Sequence, residues 1–175
     1  MKKILTNKKI LLVPISMKYL NDIHEYSSNP IFFKFFEYNF FKTKNETRKY
    51  LEKIITTSKK DINQYWAIIL KKNKKCIGTI CAKNLNKRRK AVEVGYGINP
   101  DFWNKGYFSL SLKILIKYLF KKIKIKRIYA KTSIKNRASI KGLKKNGFKI
   151  EGKMKSFYKV GYKYVDAILL AKINF

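Results

Sequence analysis

The sequence predicts an α+β fold, in which a mixed, mostly antiparallel twisted sheet is flanked by helices. Short apolar segments alternate with polar turns in the middle of the chain, which is typical of antiparallel hairpins. The segment 91–133 has the pattern strand, helix, strand, which indicates one parallel crossover. The 175 residues are 46% hydrophobic with only 3 Pro, which predicts one folded domain over residues 1–175 and excludes a disordered chain.

The first third of the chain is predicted to contain one strand and two helices. Lys8–Ile15 is mainly apolar and is predicted as the strand. Ser16 is a suitable N-cap for a helix over Met17–Ser27, which Asn29-Pro30 ends. After an aromatic stretch, the sequence T-K-N-E beginning at Thr43 is typical of a capping box and predicts a helix to about Lys60.

Three strands are predicted next, and they contain both cysteines of the chain. Cys76 and Cys81 are five residues apart on one predicted strand, so we expect their side chains on opposite faces and no disulfide between them. Two free thiols are typical of a reducing compartment, and a cytoplasmic protein is expected. The predicted strands are Tyr65–Leu70, Cys76–Asn84 and Ala91–Ile98.

The second half of the chain completes the order β-α-α-β-β-β-α-β-α-β-β. The predicted helix Gly106–Lys121 is strongly apolar and has lysines at i, i+4 spacing along its predicted solvent-exposed edge. Asn146-Gly147 is a C-cap signal that ends the shorter helix Ala138–Lys145. The predicted elements are helix Gly106–Lys121, strand Arg127–Ser133, helix Ala138–Lys145 and strands Phe148–Tyr158 and Lys163–Lys172.

Charge is the extreme feature of the composition, since 42 basic and 10 acidic residues give a net charge of +32. Such a protein attracts polyanions, and a nucleic-acid partner is one interpretation. We favour the other, a lysine-rich compositional bias, because the lysines are spread along the chain and arginine is rare. A polyamine acceptor would need an acidic patch that 10 acidic residues barely supply. No membrane partner is expected, because the apolar run Ile10–Ile15 is too short for a membrane span.

The single histidine, His24, limits the possible catalytic chemistry. A Ser-His-Asp triad or a His-Cys pair depends on it alone, and a site with several histidine ligands is impossible, so no metal is expected. Acid–base chemistry therefore depends on carboxylates, tyrosines or serines.

One segment, V-E-V-G-Y-G-I-N-P-D-F-W-N-K-G-Y-F-S, combines the features of a ligand site. On the strand Ala91–Ile98, Glu93 shares a face with two glycines, and a glycine inside a strand permits close approach to the backbone. A loop and a helix N-terminus follow, and the free amides there are suited to phosphate. The residues predict a phosphate-bearing ligand along a strand edge, or else an ordinary strand-turn-helix with a bulge.

The same segment, E-V-G-Y-G-I-N-P-D-F-W-N-K-G-Y, resembles the GNAT acyltransferases. It is most similar to the branch of Rim-type (RimJ/RimL-like) ribosomal-protein N-terminal acetyltransferases. A second stretch, N-R-A-S-I-K-G-L-K-K-N-G-F-K-I-E-G, and the tail G-Y-K-Y-V-D-A-I-L-L also match that branch in the same order. In the loop, Trp103 replaces a Gln or Arg, Asn104 the usual first Gly, and Phe108 a small residue.

The resemblance implies a GNAT-like sheet and acetyl-CoA as donor. It places the pyrophosphate on the amides of residues 104–109 and the pantetheine along residues 95–98. The positions implied for acetyl-CoA are Tyr96, Ile98, Trp103, Asn104, Lys105, Gly106, Tyr107, Phe108, Ser109 and Asn136.

The reaction implied is direct acetyl transfer to an amine. Glu93 is the predicted general base, or alternatively a structural carboxylate paired with a lysine. Ser139 is predicted to orient the departing sulfur, or to cap a helix. Asp166 is predicted to bind the acceptor ammonium, or to form a salt bridge. Phe36 is predicted to line the acceptor pocket, although core packing is the alternative for the Phe-rich stretch.

Two functions follow from these observations. The first is an N-acetyltransferase, a monomer or homodimer, that acts on a protein N-terminus or on a small-molecule amine such as an amino sugar on a nucleotide carrier. The second is a catalytically inactive protein of the same fold that binds nucleic acid or another polyanion.

Overall fold

The computed structural model describes residues 3–58 and 62–174 of the chain. The strands are β1 (Leu5–Thr6), β2 (Ile10–Pro14), β3 (Gln64–Leu70), β4 (Cys76–Asn86), β5 (Ala91–Ile98), β6 (Arg127–Ser133), β7 (Lys149–Val160) and β8 (Lys163–Ile173). The helices are α1 (Leu20–Ser27), α2 (Lys44–Thr57), α3 (Tyr107–Lys121) and α4 (Arg137–Lys145). The predicted order is confirmed, with the short β1 added at the start.

All the described strands belong to one sheet, with the order β1-β2-β3-β4-β5-β6-β8-β7. Neighbouring strands are antiparallel except β5 and β6, which are parallel and joined through α3. The predicted mixed, mostly antiparallel sheet with one crossover is therefore confirmed. Long loops are unnecessary in this arrangement, since hairpins connect most neighbours.

Helix α3 covers one face of the sheet because its sequence separates apolar and charged positions at the helical period. Leu112, Leu115 and Leu119 are buried against the sheet, whereas Lys113 and Lys117 are exposed on the opposite edge. Burying each leucine contributes about 2 kcal/mol. This packing fixes α3, and with it the loop that precedes the helix, relative to β5.

Helices α1 and α2 cover the other face. The capping box of Thr43 and Glu46 is present, so the predicted start of α2 is confirmed. The predicted cap at Ser16 is wrong, since its side chain makes no capping bond and Met17–Tyr19 forms a 3-10 turn before α1.

The two cysteines lie on the same face of β4, which corrects the expectation from their spacing. The register between β3 and β4 shifts near Gly78, so a bulge inserts one residue between the cysteines and reverses the alternation of side chains. Cys76 packs in the α1/α2 layer, and Cys81 faces a cavity on that same side. Both thiols are free, as predicted.

Gly78 lies at this bulge, where the backbones of β4 and β5 approach closely. A Cβ atom at Gly78 would lie 2.3 Å from the carbonyl oxygen of Gly97.

Among the helices within residues 3–58 and 62–174, none is long and apolar enough to cross a membrane.

Candidate acyl-transfer site

Strands β5 and β6 separate at one point, and the site is built around this fork. Their pairing ends at Glu93 and Tyr129, whereas β5 remains paired with β4 as far as Ile98. Strand β6 continues along β8 to Ser133. The second half of β5 therefore has a free edge that faces away from β4.

The free edge presents backbone groups that can bind an extended ligand. The carbonyl oxygen of Lys90 accepts hydrogen bonds from the backbone N–H groups of Lys126 and Arg127, at the start of β6. The backbone N–H and C=O groups of the even-numbered residues of β5 are therefore directed towards β6. The same alternation directs the N–H and C=O of Tyr96 into the fork. At the end of β5, the indole Nε1 of Trp103 donates to the carbonyl oxygen of Ile98 over 2.7 Å. Trp103 thus anchors the following loop to the strand.

The loop ends in the N-terminus of α3, which has free backbone donors. Asn104 and Gly106 have φ values of 58° and 78°, so the chain turns through the left-handed region twice. Asn tolerates this region better than most residues, and Asn104 therefore maintains the turn where the family has a glycine. Gly106 supplies no side chain to cap the amides of Tyr107, Phe108 and Ser109. These free amides lie at the positive end of the helix dipole, which is an environment that favours an anion.

Phe108, at the start of α3, is half-buried and packs between β5 and α4. Its ring lies 4.1 Å, centroid to centroid, from the ring of Tyr96. It also occupies the space beside Gly142, where a Cβ atom would approach the Phe108 ring to 2.4 Å. The large side chain is therefore accommodated by the glycine of α4.

Tyr96 and Ser139 join β5 to α4 beside this ring. The Tyr96 phenol and the Ser139 hydroxyl are 2.7 Å apart, and Ser139 is buried. Burial raises the pKa of Tyr96 well above its ordinary value, so the phenol is neutral at physiological pH. The alternative prediction, that Ser139 caps a helix, is wrong. The cap of α4 is Asn136, whose side-chain oxygen accepts a hydrogen bond from the backbone N–H of Ser139.

The fork opens into a cavity of about 640 Å³ beneath α1, α2 and the Phe-rich stretch. We name it the aromatic cavity, since eleven of its lining residues in the described part of the chain are Phe or Tyr. Phe36 lines it and stacks on Phe32, with ring centroids 5.4 Å apart. Glu93, Tyr96, Asn136 and Ser139 also line the cavity, so the fold brings together residues that are far apart in sequence.

Glu93 is the buried carboxylate of this cavity, with 5% of its side chain exposed. The ammonium groups of Lys83 and Lys131 each lie 3.3 Å from one of its oxygens. Asn84 donates a further hydrogen bond over 3.2 Å. The alternative role predicted for Glu93, a carboxylate paired with a lysine, is therefore present in the structure, and Glu93 pairs with two lysines.

Lys83 and Lys131 are site residues that were not predicted from the sequence. Lys83 lies opposite Glu93 in the β4–β5 register, and Lys131 is two residues beyond Tyr129, the β6 partner of Glu93. Regular pairing continued from Asn86 and Ala91 would put Asn84 opposite Glu93, and the register shift between Lys83 and Asn86 puts Lys83 there instead. The contact of Lys131 depends on the crossover register, which sequence patterns do not specify.

The remaining reactive groups of the aromatic cavity hold their protons. Burial raises the pKa of the Cys81 thiol to about 11 and that of the Tyr158 phenol to about 12. Both groups are therefore neutral near pH 7. Neither a thiolate nor a phenolate is present in the resting cavity.

Three other predicted or possible site residues lie outside this lining. Asp166 pairs with Lys153 over 2.8 Å and accepts from the amide of Ser156, which stabilises an irregular stretch of β7. Its salt-bridge alternative is therefore present. His24 contacts Thr47 between α1 and α2. The Lys105 ammonium donates to the carbonyl oxygen of Asp101 over 2.8 Å.

A second recess lies at the far end of α3. We call it the lysine groove, because eight of its lining residues within the described chain are lysines, among them Lys113, Lys117 and Lys121. Its volume is about 1120 Å³, and its floor includes Ile116 and Phe120.

The chain is similar to known acetyltransferases in sequence and in fold. The family model described as acetyltransferase (GNAT) domain matches residues 9–149. A curated protein of Bacillus licheniformis, the uncharacterized N-acetyltransferase p20, is 25% identical over 170 residues, which are 97% of this chain and 96% of that protein.

Two solved structures illustrate the similarity of fold. A GNAT-family acetyltransferase from Bacillus anthracis superposes with a TM-score of 0.87 at 25% identity, and 98% of each chain is covered. RimL, a ribosomal L7/L12 alpha-N-protein acetyltransferase in complex with coenzyme A, superposes with a TM-score of 0.89 at 21% identity, again over 98% of each chain.

Proposed function

Since the chain belongs to the GNAT family of acetyl-CoA-dependent N-acetyltransferases, we propose that it transfers an acetyl group directly to a primary amine held in the aromatic cavity. The observation that carries the proposal is the fork between β5 and β6. It joins an anion site, a free strand edge and a cavity lined by Glu93 and Ser139. These are the parts that a nucleotide thioester and an amine need in order to meet.

We propose that the donor lies along the fork. The amides of Tyr107, Phe108 and Ser109 suit the pyrophosphate, and the free edge at Tyr96 suits the amide-containing pantetheine arm. Asn136 uses its carbonyl oxygen to cap α4, which leaves its amide nitrogen to donate to the same arm. Acetyl-CoA supplies the activated acetyl thioester, and the backbone N–H of Tyr96 can stabilise the oxyanion that forms.

Direct transfer is favoured over an acyl-cysteine route. Cys81 lines the cavity, but burial raises its thiol pKa to about 11, and the thiolate is the nucleophilic form. At neutral pH only a very small fraction of Cys81 is reactive, so the acceptor amine is the better nucleophile.

Glu93 is our proposal for the general base, acting through a water molecule. Its carboxylate lines the cavity, and the ion pairs with the two lysines hold it in position. The same ammonium groups favour loss of the proton from a nearby acceptor ammonium, because like charges repel. The amine therefore reaches the thioester in its neutral, nucleophilic form.

On the leaving-group side, Ser139 is proposed to orient the departing sulfur. Its hydroxyl shares a hydrogen bond with the neutral Tyr96 phenol, which can donate a proton through it. Leu143 of the same helix is fully buried in the core, and its hydrocarbon side chain has no proton to donate.

The acceptors that we propose are a protein N-terminus or a small-molecule amine such as an amino sugar on a nucleotide carrier. RimL, whose fold is similar, is by name a protein N-terminal acetyltransferase. Asp166 is not part of the cavity lining within the described residues, so its contact with the acceptor ammonium stays a prediction without support from the geometry.

The test is thermal stabilisation by acetyl-CoA at low and at high salt, with tripolyphosphate as the control ligand. We expect acetyl-CoA to raise the melting temperature at both salt concentrations, because a shaped site adds contacts that salt does not screen. Tripolyphosphate should act only at low salt. Equal stabilisation by both ligands, or loss of the acetyl-CoA effect in high salt, would overturn the proposal.

The lysine groove favours a second candidate function, which is binding of a nucleic acid or another polyanion. Eight lysines line this one concave surface. A net charge of +32 does not by itself require lysines to cluster in one place. This function is compatible with catalysis, and the variants that test it are described in the Discussion.

A further inference from the structure

The charges around Glu93 do not balance. One carboxylate faces two ammonium groups, Lys83 and Lys131, and only 38% and 25% of these lysine side chains are exposed. The cluster therefore holds one surplus positive charge that is partly removed from water. Such a charge is stabilised by an anionic partner and repels a second cation.

The other acidic residue of the described cavity lining does not compensate for this charge. Glu37 is an exposed residue whose carboxylate accepts from the backbone amide of Lys159 over 3.2 Å. A third lysine, Lys53, also lines the cavity. The lining thus contains three lysines and two glutamates, and it remains positive overall.

Lys131 is held in place at this site by two contacts. Its ammonium lies 3.3 Å from Glu93 and 5.1 Å from the centre of the Phe157 ring. Because it is fixed by a carboxylate and a ring face, it loses little conformational freedom when it binds a further anion. Stacked rings such as Phe32 and Phe36 form the apolar wall of the same cavity.

We infer that the acceptor is an amine that also carries a carboxylate or phosphate group, attached to an aromatic or other apolar body, and that Lys131 binds the anionic group. The rings take the apolar body, and the surplus ammonium takes the anion. This inference rests on the proposed function, because it takes the ligand of the cavity to be the acceptor amine. The binding of an anionic group by Lys131, however, can be tested without turnover. It excludes polyamines, which would add positive charge to a positive cluster.

Binding of unreactive probes tests the inference without requiring catalysis. We would compare 3-phenylpropanoate with 3-phenylpropan-1-ol, which has the same ring but no charge, by ligand-observed NMR at 150 mM salt. A hydrogen bond to a charged group should make the carboxylate bind about tenfold tighter. In Lys131→Met the advantage should fall below about threefold, and in Lys131→Arg it should largely remain.

Lys72→Met is the matched control, because it removes an exposed lysine that lines neither the aromatic cavity nor the lysine groove. Its preference for the carboxylate should equal that of the wild type. Equal binding of the two probes by the wild type would overturn the inference, because the cavity would then not attract the carboxylate. An equal loss of preference in both Met variants would also overturn it, because the attraction would then belong to the whole surface.

Turnover separates this inference from the proposed function. Phenylalanine and 2-phenylethylamine differ only by a carboxylate, and O-phosphotyramine and tyramine differ only by a phosphate. A higher kcat/KM for the anionic member of either pair supports the inference and identifies the preferred anion. A preference for the amines that lack the anionic group contradicts the inference and leaves the acetyltransferase function intact. Failure of acetyl-CoA to bind contradicts the proposed function alone.

Discussion

The aromatic cavity and the lysine groove differ in a way that volume does not reveal. The groove is the larger recess, at about 1120 Å³ against 640 Å³. In the cavity, however, groups of different chemistry converge, namely a buried carboxylate, a phenol–hydroxyl pair and a free strand edge. The groove repeats one kind of side chain on an open surface. Convergence of unlike polar groups, rather than size, identifies the site of chemistry.

The two recesses also respond differently to solvent. Charges in the groove are exposed and screened by salt, so its attraction for anions is long-ranged but weak at physiological ionic strength. Glu93 is withdrawn from water, so its interactions are stronger and more costly to leave unpaired. Changes in the cavity should therefore alter rate and stability, and changes in the groove should alter salt-dependent binding.

Substitution of Glu93 should give the largest effect. We expect Glu93→Gln to lower kcat by about 100-fold, because it removes the proposed base, and to destabilise the fold by about 1–3 kcal/mol, because two lysines lose their counter-charge. Steady-state kinetics and urea denaturation measure the two effects. Polyphosphate binding in the groove should not change.

Glu151→Gln is the matched control for this substitution. Glu151 pairs with Arg127 at the surface, with 34% of each side chain exposed. Because exposed pairs contribute about 0–1 kcal/mol, this variant should have wild-type turnover and nearly wild-type stability. A folded Glu93→Gln enzyme with unchanged kcat would remove Glu93 from the role of base and leave it a structural one.

Removal of charge from the groove should give an intermediate effect. The triple variant Lys113→Ala, Lys117→Ala, Lys121→Ala should bind a single-stranded RNA about tenfold more weakly at low salt, and the slope of log K against log salt should become shallower by about 2. Fluorescence anisotropy measures both quantities. Turnover of acetyl-CoA should stay within twofold of the wild type.

A second triple variant, with Lys44, Lys49 and Lys72 changed to Ala, removes the same charge from exposed positions outside the groove. If it weakens RNA binding as much as the groove variant does, the attraction belongs to the net charge and the groove has no special role. Displacement of RNA by saturating acetyl-CoA would indicate instead that the groove is an extension of the donor site.

Alkaline pH tests the burial of the cavity tyrosines without a substitution. Burial raises the pKa values of Tyr65 and Tyr158 to about 12, against about 10 in an unfolded chain. The folded state then binds more protons than the unfolded state between these values. The resulting stability is present in full below pH 10 and is lost as pH rises from 10 to 12.

Denaturation midpoints between pH 8 and pH 12, with absorbance at 295 nm as the signal for phenolate, measure this dependence. Tyr162→Phe is the control, because Tyr162 is fully exposed and its loss should not change the profile. Phenolate formation by the cavity tyrosines below pH 10 in the folded protein would contradict their burial.

Much of the fold could be predicted from local patterns. The capping box at Thr43, the apolar and charged edges of α3 and the C-cap at Gly147 each fix an element through interactions within a few residues. The predicted bounds of β5 and β6 match those observed. The 3-10 turn before α1 and the bulge in β4 were not predicted, because both depend on packing against other elements.

The sequence by itself determined the order of the elements, the parallel crossover, and the likeness of the loop before α3 to the acetyltransferase family. Those features depend on periodicity and short motifs, which act over neighbouring residues. Only the tertiary structure decided that Glu93 lies between Lys83 and Lys131 and that Asp166 stabilises β7. Such contacts join distant strands, and their register is fixed by the packing of the whole sheet.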